Sequence, residues 1–364
     1  SGFPGVEVFR TPSPDISFAK VADIDAPSPG ADVSSPAYDA YLACFENAVV
    51  HGGSNFILGP NGEAVNDVAT DPKYGRWTAY NHEPLLKKRE GDTGVFLRQT
   101  PTRTIERAFH LSGYFSKHFG HWIGEYLPRL RHLERLPGWE DVPILVNDDM
   151  PASHYEALAL LTQNPVIRIA RNATWQIRNL YVAPTINFHA PDYRPGYDIP
   201  VEHRAAWSAE AMSYVRDRIL AQSFSSKVDA SRIFISRRNS VWARPLNEAD
   251  VEAVFEGLGF RIIQPETMNF HEQVETMRSA RFIVGPSGSA FNMAMFARSE
   301  TPILVLAQGA PHNWGGWLGP MRQLGFDVRF MLSESGSDTE KLMSYTVNIE
   351  RIPGIVSRLL EAAE

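Results

Sequence analysis

The chain has 364 residues, of which 43% are hydrophobic and 21% are charged, a composition typical of folded globular proteins. Its formal net charge of −7, without a long basic run, excludes the charge pattern of a nonspecific nucleic-acid-binding protein. The single cysteine, Cys44, excludes an intrachain disulfide. The apolar runs are far shorter than the ~20 residues that a membrane span needs. We expect a cytoplasmic protein of two domains, and contact with the inner face of a membrane stays open.

The N-terminal half begins with a proline-rich stretch and then alternates strands with helices. Prolines break helices and remove strand hydrogen-bond donors, so we interpret residues 1–44 as an extended arm. The elements that follow are a strand-turn-strand over 45–70 with its turn at Gly59-Pro60-Asn61-Gly62, a helix near 116–136, a strand at 143–146, a helix near 153–162, a strand near 178–183 and a helix over 202–221. Residues 45–222 therefore form a predicted N-terminal α/β domain.

The alternation of strands and helices is clearer beyond the polar stretch 222–229. Strands are predicted at 232–236, 261–264, 282–284 and 302–306, with helices between them at 247–258, 270–279 and 290–297. We expect Asn247 to cap the first of these helices, with Asp250 in its first turn, and Gly259 to end it. This spacing predicts a parallel sheet with helices on both faces over residues 230–345. Residues 346–364 form a terminal helix, and its packing on the N-terminal domain stays open.

Two groups of residues in the C-terminal half fit phosphate binding. The loop Gly285-Pro286-Ser287-Gly288-Ser289 follows a strand and opens a helix, where backbone N–H groups favour an anion. Arg237 and Arg238 follow another strand, and guanidinium groups there suit a phosphate. Both groups follow strands of one sheet, so they can face one crevice. The alternatives are a tight turn without a ligand and a solvated charged turn.

The segment from His118 to Leu130 carries the candidate acid–base residues. In a helix, His121 and Glu125 share one face, and a partly buried carboxylate beside a histidine suits a general base. The residues lack the H-E-x-x-H order of a common zinc site, so we assign no metal. A packed amphipathic helix interrupted by Pro128 is the alternative. Asp148-Asp149 could imitate a metal-binding acidic pair but more simply cap the next helix.

Three blocks of motifs together resemble glycosyltransferase family 61. The blocks are the strand-turn-strand from Val49 to Ala64, the run His121-Trp122-Ile123-Gly124-Glu125 followed by Leu127-Pro128-Arg129-Leu130, and a C-terminal series of Ile233 to Arg238, Arg244, Asn247-Glu248, Gly259-Phe260, Phe270 to Val274, and Gly285 to Phe296. The resemblance covers residues 45–310 and depends on the order and spacing of the blocks. We suspect a member of the bacterial capsular-polysaccharide type.

The resemblance implies a GT-B fold and an inverting transfer that needs no metal ion or other cofactor. Two Rossmann-like domains would face a cleft, with a β-rich N-terminal extension, the acceptor on residues 45–222 and a nucleoside diphosphate sugar on residues 230–345. Glu125 would be the base, and His121 would orient it or the acceptor. The donor and its diphosphate would be bound by Arg237, Arg238, Arg244, Gln273, Gly285, Ser287, Gly288, Ser289 and Asn292. His118 and His312 are further candidates, and His312 fits an ordinary loop residue equally well.

The loop departs from the family pattern Gly-x-His-Gly-Ala-Gly-Leu. Ser287 replaces the histidine and Ser289 replaces an alanine, and serine can hydrogen-bond a phosphate but carries no positive charge. The expected partners are a nucleotide sugar and a glycan or lipid-linked saccharide in surface polysaccharide assembly, with no nucleic acid. The alternatives are a noncatalytic nucleotide-sugar or glycan-binding relative, and another GT-B-like enzyme such as an epimerase or a pyruvyl transferase.

Overall fold

The computed structural model describes residues 5–11, 16–19, 21–26, 32–35, 40–61, 63–66, 86–90, 93–96, 99–184, 188–189, 205–222, 231–239, 245–309, 314–333 and 345–362. The strands are β1 (Gly5–Thr11), β2 (Ile16–Ala19), β3 (Asp32–Ser35), β4 (Ala40–His51), β5 (Phe56–Leu58), β6 (Ala64–Asn66), β7 (Leu86–Glu90), β8 (Thr93–Phe96), β9 (Arg103–His110), β10 (Ile144–Asn147), β11 (Val166–Ile169), β12 (Thr174–Val182), β13 (Phe188–His189), β14 (Ala205–Ala206), β15 (Arg232–Ile235), β16 (Phe260–Ile263), β17 (Phe282–Pro286), β18 (Ile303–Gln308) and β19 (Val328–Ser333). The α-helices are α1 (Phe119–His121), α2 (Leu130–Leu133), α3 (Ala152–Leu161), α4 (Ala209–Leu220), α5 (Glu248–Gly257), α6 (Phe270–Ser279), α7 (Trp314–Gln323) and α8 (Ile352–Glu361).

The chain divides into two compact units. One contains Ser1–Ile16 with Ser35–Val215, and the other contains Ser17–Ser34 with Arg216–Glu364. Both are α/β units whose main sheets contain parallel strand pairs. None of the helices in the described ranges is long and apolar enough to cross a membrane.

The N-terminal unit is built on a mixed sheet with the strand order β11-β10-β9-β12-β4-β5-β6, and β1 pairs with β4 as well. The strands β11, β10, β9 and β12 run parallel to one another, whereas β4 pairs antiparallel with both β12 and β5, and β5 pairs antiparallel with β6. Every residue of β10 is buried, because a parallel strand is covered on both faces. The antiparallel β5–β6 pair confirms the turn predicted between them.

The C-terminal unit is built on a fully parallel sheet with the strand order β16-β15-β17-β18-β19. This confirms the parallel sheet that the sequence predicts for this half. The chain order reverses between β15 and β17, and open α/β sheets bind ligands at the carboxyl ends of the strands beside such a point. The terminal helix α8 adds Ile352, Ile355 and Val356 to the core of this same unit.

Three local expectations are corrected by the structure. Asn247 stands at the N-cap position of α5, but its side chain makes no capping hydrogen bond and instead bonds the main chain of Val347, with an Nδ2–O distance of 2.9 Å and an N–Oδ1 distance of 3.0 Å. The helix predicted at 290–297 is a 3₁₀ helix over Ser289–Phe296. The helix predicted near 116–136 is irregular, as described below. Gly259 does adopt the left-handed conformation expected after a helix, with φ of 79°.

The proline-rich stretch contributes to both units. Strand β1 pairs with β4, whereas residues 21–26 lie against β19 at the edge of the C-terminal sheet. There the N–H of Ile24 donates to the carbonyl of Phe330 at 2.7 Å, and Asp23 accepts from the N–H of Leu332 at 2.7 Å. Covering an edge strand in this way removes a surface that invites unwanted strand pairing.

Two arginines near the C-terminus fasten this segment. Arg351 contacts the carboxylates of Asp23 and Asp25 at 2.6 Å each, and Arg358 contacts Asp25 at 2.5 Å. Hydrogen bonds from Arg351 and Arg358 hold the pKa of Asp25 below its ordinary value of 3.8. The carboxylate of Asp25 is thus stabilised in its charged form by the folded chain.

Replacement of Asp25 by asparagine is expected to lower the free energy of unfolding by about 1 kcal/mol near neutral pH, the range of partly exposed ion pairs. The pKa of Asp25 is lower in the folded chain, so this contribution is complete above pH 3.8 and disappears as the pH falls through the folded pKa. Urea unfolding between neutral and acidic pH measures it. Asp327→Asn is the control, since Asp327 pairs with its near neighbour Arg329 and fastens no separate segment. A difference between the Asp25 variant and the natural chain that persists at low pH would contradict this explanation.

Candidate active site

The helical segment after β9 changes its winding at a proline. Residues Trp122–Tyr126 form a π-helical turn, in which the N–H of Leu127 reaches the carbonyl of Trp122, and Leu127–Arg129 continue as a 3₁₀ turn. Pro128 has no N–H to donate and its ring would clash with the carbonyl four residues earlier, so a regular α-helix cannot continue here. π-turns inside helices often lie at functional sites, and this one contains Glu125.

His121 and Glu125 form a close pair on this segment, as their spacing predicts. Nδ1 of His121 lies 2.9 Å from Oε2 of Glu125. The carboxylate is buried, with 8% of its side chain exposed, whereas the imidazole is 18% exposed. Oε1 of Glu125 is buried and has no hydrogen-bond partner among the described residues. A buried carboxylate that holds one nitrogen of a more exposed imidazole is an arrangement suited to accepting a proton through the histidine.

A buried network of asparagine side chains holds the start of this segment. Asn147, at the carboxyl end of β10, donates to the carbonyl of Gly113 at 2.7 Å and accepts from the N–H of Gly53 at 3.1 Å. Asn55 accepts from the N–H of Tyr114 at 3.0 Å and from the hydroxyl of Tyr126 at 3.2 Å. Sequence reasoning missed both asparagines, and only their places next to predicted strand ends could have suggested them.

Gly124 is required by the close approach of Trp207. A Cβ added to Gly124 would lie within 2.6 Å of three ring carbons of Trp207, and it would sit next to Glu125. Trp207 is itself buried, so the indole has little room to move away.

Replacement of Gly124 by alanine is expected to lower the free energy of unfolding by about 1–3 kcal/mol, because the added methyl group overpacks a filled site. We also expect catalytic activity to fall, since relief of the overlap displaces the neighbouring carboxylate. Denaturant unfolding and an activity assay measure the two effects. Gly354→Ala is the matched control, because a Cβ at Gly354 in α8 meets nothing within 4 Å and alanine favours a helix. A fully stable Gly124 variant would contradict the packing explanation.

The residues of the C-terminal unit that are predicted to bind phosphate lie together at the carboxyl ends of β15 and β17. The strand order of the parallel sheet reverses between these two strands. Arg237 follows β15 and the loop 285–289 spans the end of β17, and a Cβ at Gly288 would overlap the guanidinium group of Arg237. Gly285 is equally constrained, since its Cβ would lie 2.5 Å from the carbonyl oxygen of Ile235. Burial lowers the pKa of the Arg237 guanidinium below its ordinary value, and arginine side chains stay charged in proteins. The two groups of residues therefore lie together, as their positions in the sequence indicate.

Two buried carboxylates of α5 hold the loop that carries Arg237. Oε1 of Glu248 accepts the main-chain N–H of Arg237 at 2.5 Å, and Oε1 of Glu252 accepts the hydroxyl of Ser236 at 2.6 Å. Glu252 also forms an ion pair with Arg238. The structure thus separates the two arginines, with Arg237 against the glycine loop and Arg238 against α5.

Ser287, which stands where the family pattern has histidine, lies beside a buried tyrosine. The N–H of Ser287 and the hydroxyl of Tyr345 both donate to the carbonyl of Leu306, at 2.7 Å each. Burial raises the pKa of Tyr345 above its ordinary value, and its hydroxyl is close to Ser287. The side chain of Asn247 bonds the main chain of Val347 and so holds the segment that carries Tyr345. Sequence reasoning missed Tyr345, whose position is set by contacts distant in the sequence.

The remaining predicted residues have varied positions. The amide nitrogen of Gln273 donates to the carbonyls of Pro265 and Met268, at 2.9 and 3.1 Å, and so holds a turn before α6. Asn292 is buried in the 3₁₀ helix that Ser289 begins, while Ser289 and His118 are exposed. Arg244 and His312 lie outside the described residues. Asp148 and Asp149 do not cap α3, which begins after Pro151, and Asp149 pairs with Arg171 at 3.1 Å.

Within the described ranges, no group of three or more histidine, cysteine, aspartate or glutamate side chains is placed to hold a metal ion.

Comparison with known protein families identifies the chain. The model of the family described as Glycosyltransferase 61 matches residues 119–304, which is more than half of the chain and contains both the His121–Glu125 pair and the Arg237–Gly288 contact. The chain belongs to glycosyltransferase family 61 and is a glycosyltransferase. This confirms the resemblance seen in the motifs. No curated protein matches the chain.

Proposed function

We propose that the protein is an inverting glycosyltransferase that uses a nucleoside diphosphate sugar, requires no metal ion and transfers the sugar to a saccharide acceptor. The observation that carries the proposal is the position of Arg237 against Gly288, beside the point where the chain order of a parallel sheet reverses. A partly buried guanidinium beside a glycine loop suits a diphosphate, because it supplies fixed positive charge and paired donors. The proposal includes the GT-B arrangement that the family resemblance implies.

In the proposed reaction, the His121–Glu125 pair removes the proton of the acceptor hydroxyl. The imidazole is the more exposed member, so Nε2 of His121 takes the proton while Glu125 holds Nδ1 and stabilises the imidazolium. This modifies the expectation that Glu125 is itself the base, since its carboxylate is buried. The acceptor oxygen then bonds to the anomeric carbon, and the bond from that carbon to the diphosphate oxygen breaks.

Arg237 stabilises the charge that develops on the leaving diphosphate. The electron pair of the broken bond stays on the nucleoside diphosphate, and a pre-placed guanidinium can stabilise this charge without a metal ion. Backbone N–H groups at the start of the 3₁₀ helix, near Ser289, would add donors to the same phosphates. Arg238 supports the site through Glu252 in this proposal. A role in surface or capsular polysaccharide assembly follows from the resemblance alone.

Titration of the purified protein with UDP, GDP, CDP and dTDP, with and without EDTA, tests the donor. We expect one nucleotide to bind with the same Kd in both conditions, and at a hundredfold excess over Kd to stabilise the fold by ~2.7 kcal/mol. Binding of none of them would contradict the proposed donor, and binding lost in EDTA would contradict metal independence. The mass of the product separates the reactions, since transfer adds a sugar, epimerisation changes no mass and pyruvylation adds a ketal.

A further inference from the structure

Several aromatic rings next to His121 form a row that continues away from the His121–Glu125 pair. Phe115 stacks on the imidazole of His121 with ring centroids 4.8 Å apart and planes at 28°. Tyr114 meets Phe115 edge to face at 4.8 Å, and the guanidinium carbon of Arg171 lies 5.6 Å from the ring centroid of Tyr114. We call His121, Phe115, Tyr114 and Arg171 the ring row.

The row lies on the surface of the N-terminal unit. Tyr114 and Phe115 follow the carboxyl end of β9, and Arg171 follows the carboxyl end of β11. Phe115 and Tyr114 are partly exposed, and the side chain of Arg171 is 41% exposed beside its partner Asp149. His118, which is exposed, adds a ring 5.7 Å from Phe115. Each side chain of the row is therefore partly accessible from solvent.

The chemistry of the row fits a saccharide. Aromatic rings present flat faces to the apolar C–H side of a sugar, whereas the charged pair Arg171–Asp149 offers donors and acceptors to hydroxyl groups. An acceptor hydroxyl that gives its proton to His121 brings its own sugar ring beside His121 and Phe115. The row continues past that first sugar, through Tyr114 to Arg171. A monosaccharide would leave the far end of the row unused.

We infer that the ring row binds an acceptor of several linked sugars, with the reacting sugar at His121 and Phe115 and the preceding sugars along Tyr114 and Arg171. The inference rests on the proposed function, because the proposed transfer reaction determines where the reacting sugar lies. It makes the preferred acceptor an oligosaccharide or polysaccharide rather than a single sugar or a folded protein.

Binding of defined saccharides tests the inference without knowledge of the natural acceptor. The probes are cello-, chito- and malto-oligosaccharides of one to about five units, titrated into the full chain and into the variants Phe115→Leu, Phe115→Tyr, Arg171→Ala and Arg178→Ala. Arg178→Ala is the matched control, because Arg178 is also an exposed arginine in an ion pair, with Glu106 at 3.6 Å, and lies outside the row. Phe115→Leu keeps an apolar side chain of similar bulk, so that folding is preserved while the ring is lost.

For at least one series we expect the Kd of the natural chain to fall as the saccharide lengthens. Phe115→Leu should weaken binding of every length about tenfold, and Phe115→Tyr should restore it, since the ring face is what the sugar contacts. Arg171→Ala should abolish the gain from the longer saccharides and leave the shortest unchanged. Failure of the natural chain to bind any probe at millimolar concentration, equal affinity for all lengths, or Arg171→Ala behaving as Arg178→Ala would overturn the inference.

Titration of the same variants with the nucleoside diphosphate separates this inference from the proposed function. Row variants that lose saccharide binding and retain nucleotide binding support both. A chain that binds saccharides along the row and no nucleotide supports the row and contradicts the proposed donor. If the chain transfers a sugar equally well to a monosaccharide and to longer saccharides, the proposed function is supported and the inference about the ring row is contradicted.

Discussion

Replacement of Glu125 by glutamine is expected to lower kcat for sugar transfer about 10²–10⁴-fold, the range that loss of a proton-accepting pair produces. The buried carboxylate would no longer stabilise the imidazolium of His121, while the amide keeps the shape of the side chain. The Kd for the nucleoside diphosphate should stay unchanged. Steady-state kinetics and nucleotide titration measure the two quantities.

Two further variants make this expectation specific. Because His121 and Glu125 act as a unit, the variant that carries both His121→Gln and Glu125→Gln should be little slower than either single variant. Glu275→Gln is the control, since Glu275 also lies four residues after a histidine, 3.8 Å from His271 on α6. Multiplicative losses in the double variant, or an equal loss in the Glu275 variant, would count against the pair as one catalytic unit.

Replacement of Arg237 by alanine is expected to raise the Kd for the nucleoside diphosphate about 10²-fold, because charge-assisted hydrogen bonds to a phosphate contribute about 1.5–3 kcal/mol. Arg237→Lys should recover only part of this affinity, since an ammonium group lacks the planar paired donors. Isothermal titration with the nucleotide that binds the natural chain measures both variants.

Gly288→Ala separates the position of Arg237 from its charge. The added methyl group overlaps the guanidinium, so the variant should weaken nucleotide binding although Arg237 is still present. Arg298→Ala is the control, because Arg298 is an exposed arginine of the same unit that pairs with Glu300. An Arg237→Ala chain that binds the nucleotide as tightly as the Arg298→Ala chain would remove Arg237 from the donor site.

The C-terminal sheet was predictable because its strands are buried on both faces. Such strands read as short apolar runs, as in Phe282-Ile283-Val284, and glycine or polar residues mark where each ends. The meeting of Arg237 with the loop 285–289 follows from the same logic, since both lie at strand ends of one parallel sheet. The local composition of the sequence was therefore enough to predict where these residues lie.

The parts that could not be predicted depend on contacts distant in the sequence. Tyr345 bonds the carbonyl of Leu306 and Val347 bonds the side chain of Asn247, and no local pattern encodes either contact. Helical spacing placed His121 beside Glu125, but it could not show which of the two is more exposed. The roles of these site residues stay predictions, whereas the family is established by the match over residues 119–304.

The contact of residues 21–26 with β19 has a consequence for biosynthesis. Asp23 bonds Leu332 and Arg351, which lie 309 and 328 positions later in the chain. This early segment of the nascent chain therefore emerges from the ribosome long before its partners. All of the N-terminal unit from Ser35 to Val215 is made in the interval. A C-terminal fragment produced without residues 21–26 would expose the edge of β19, and we expect such a fragment to aggregate unless a peptide of those residues is supplied.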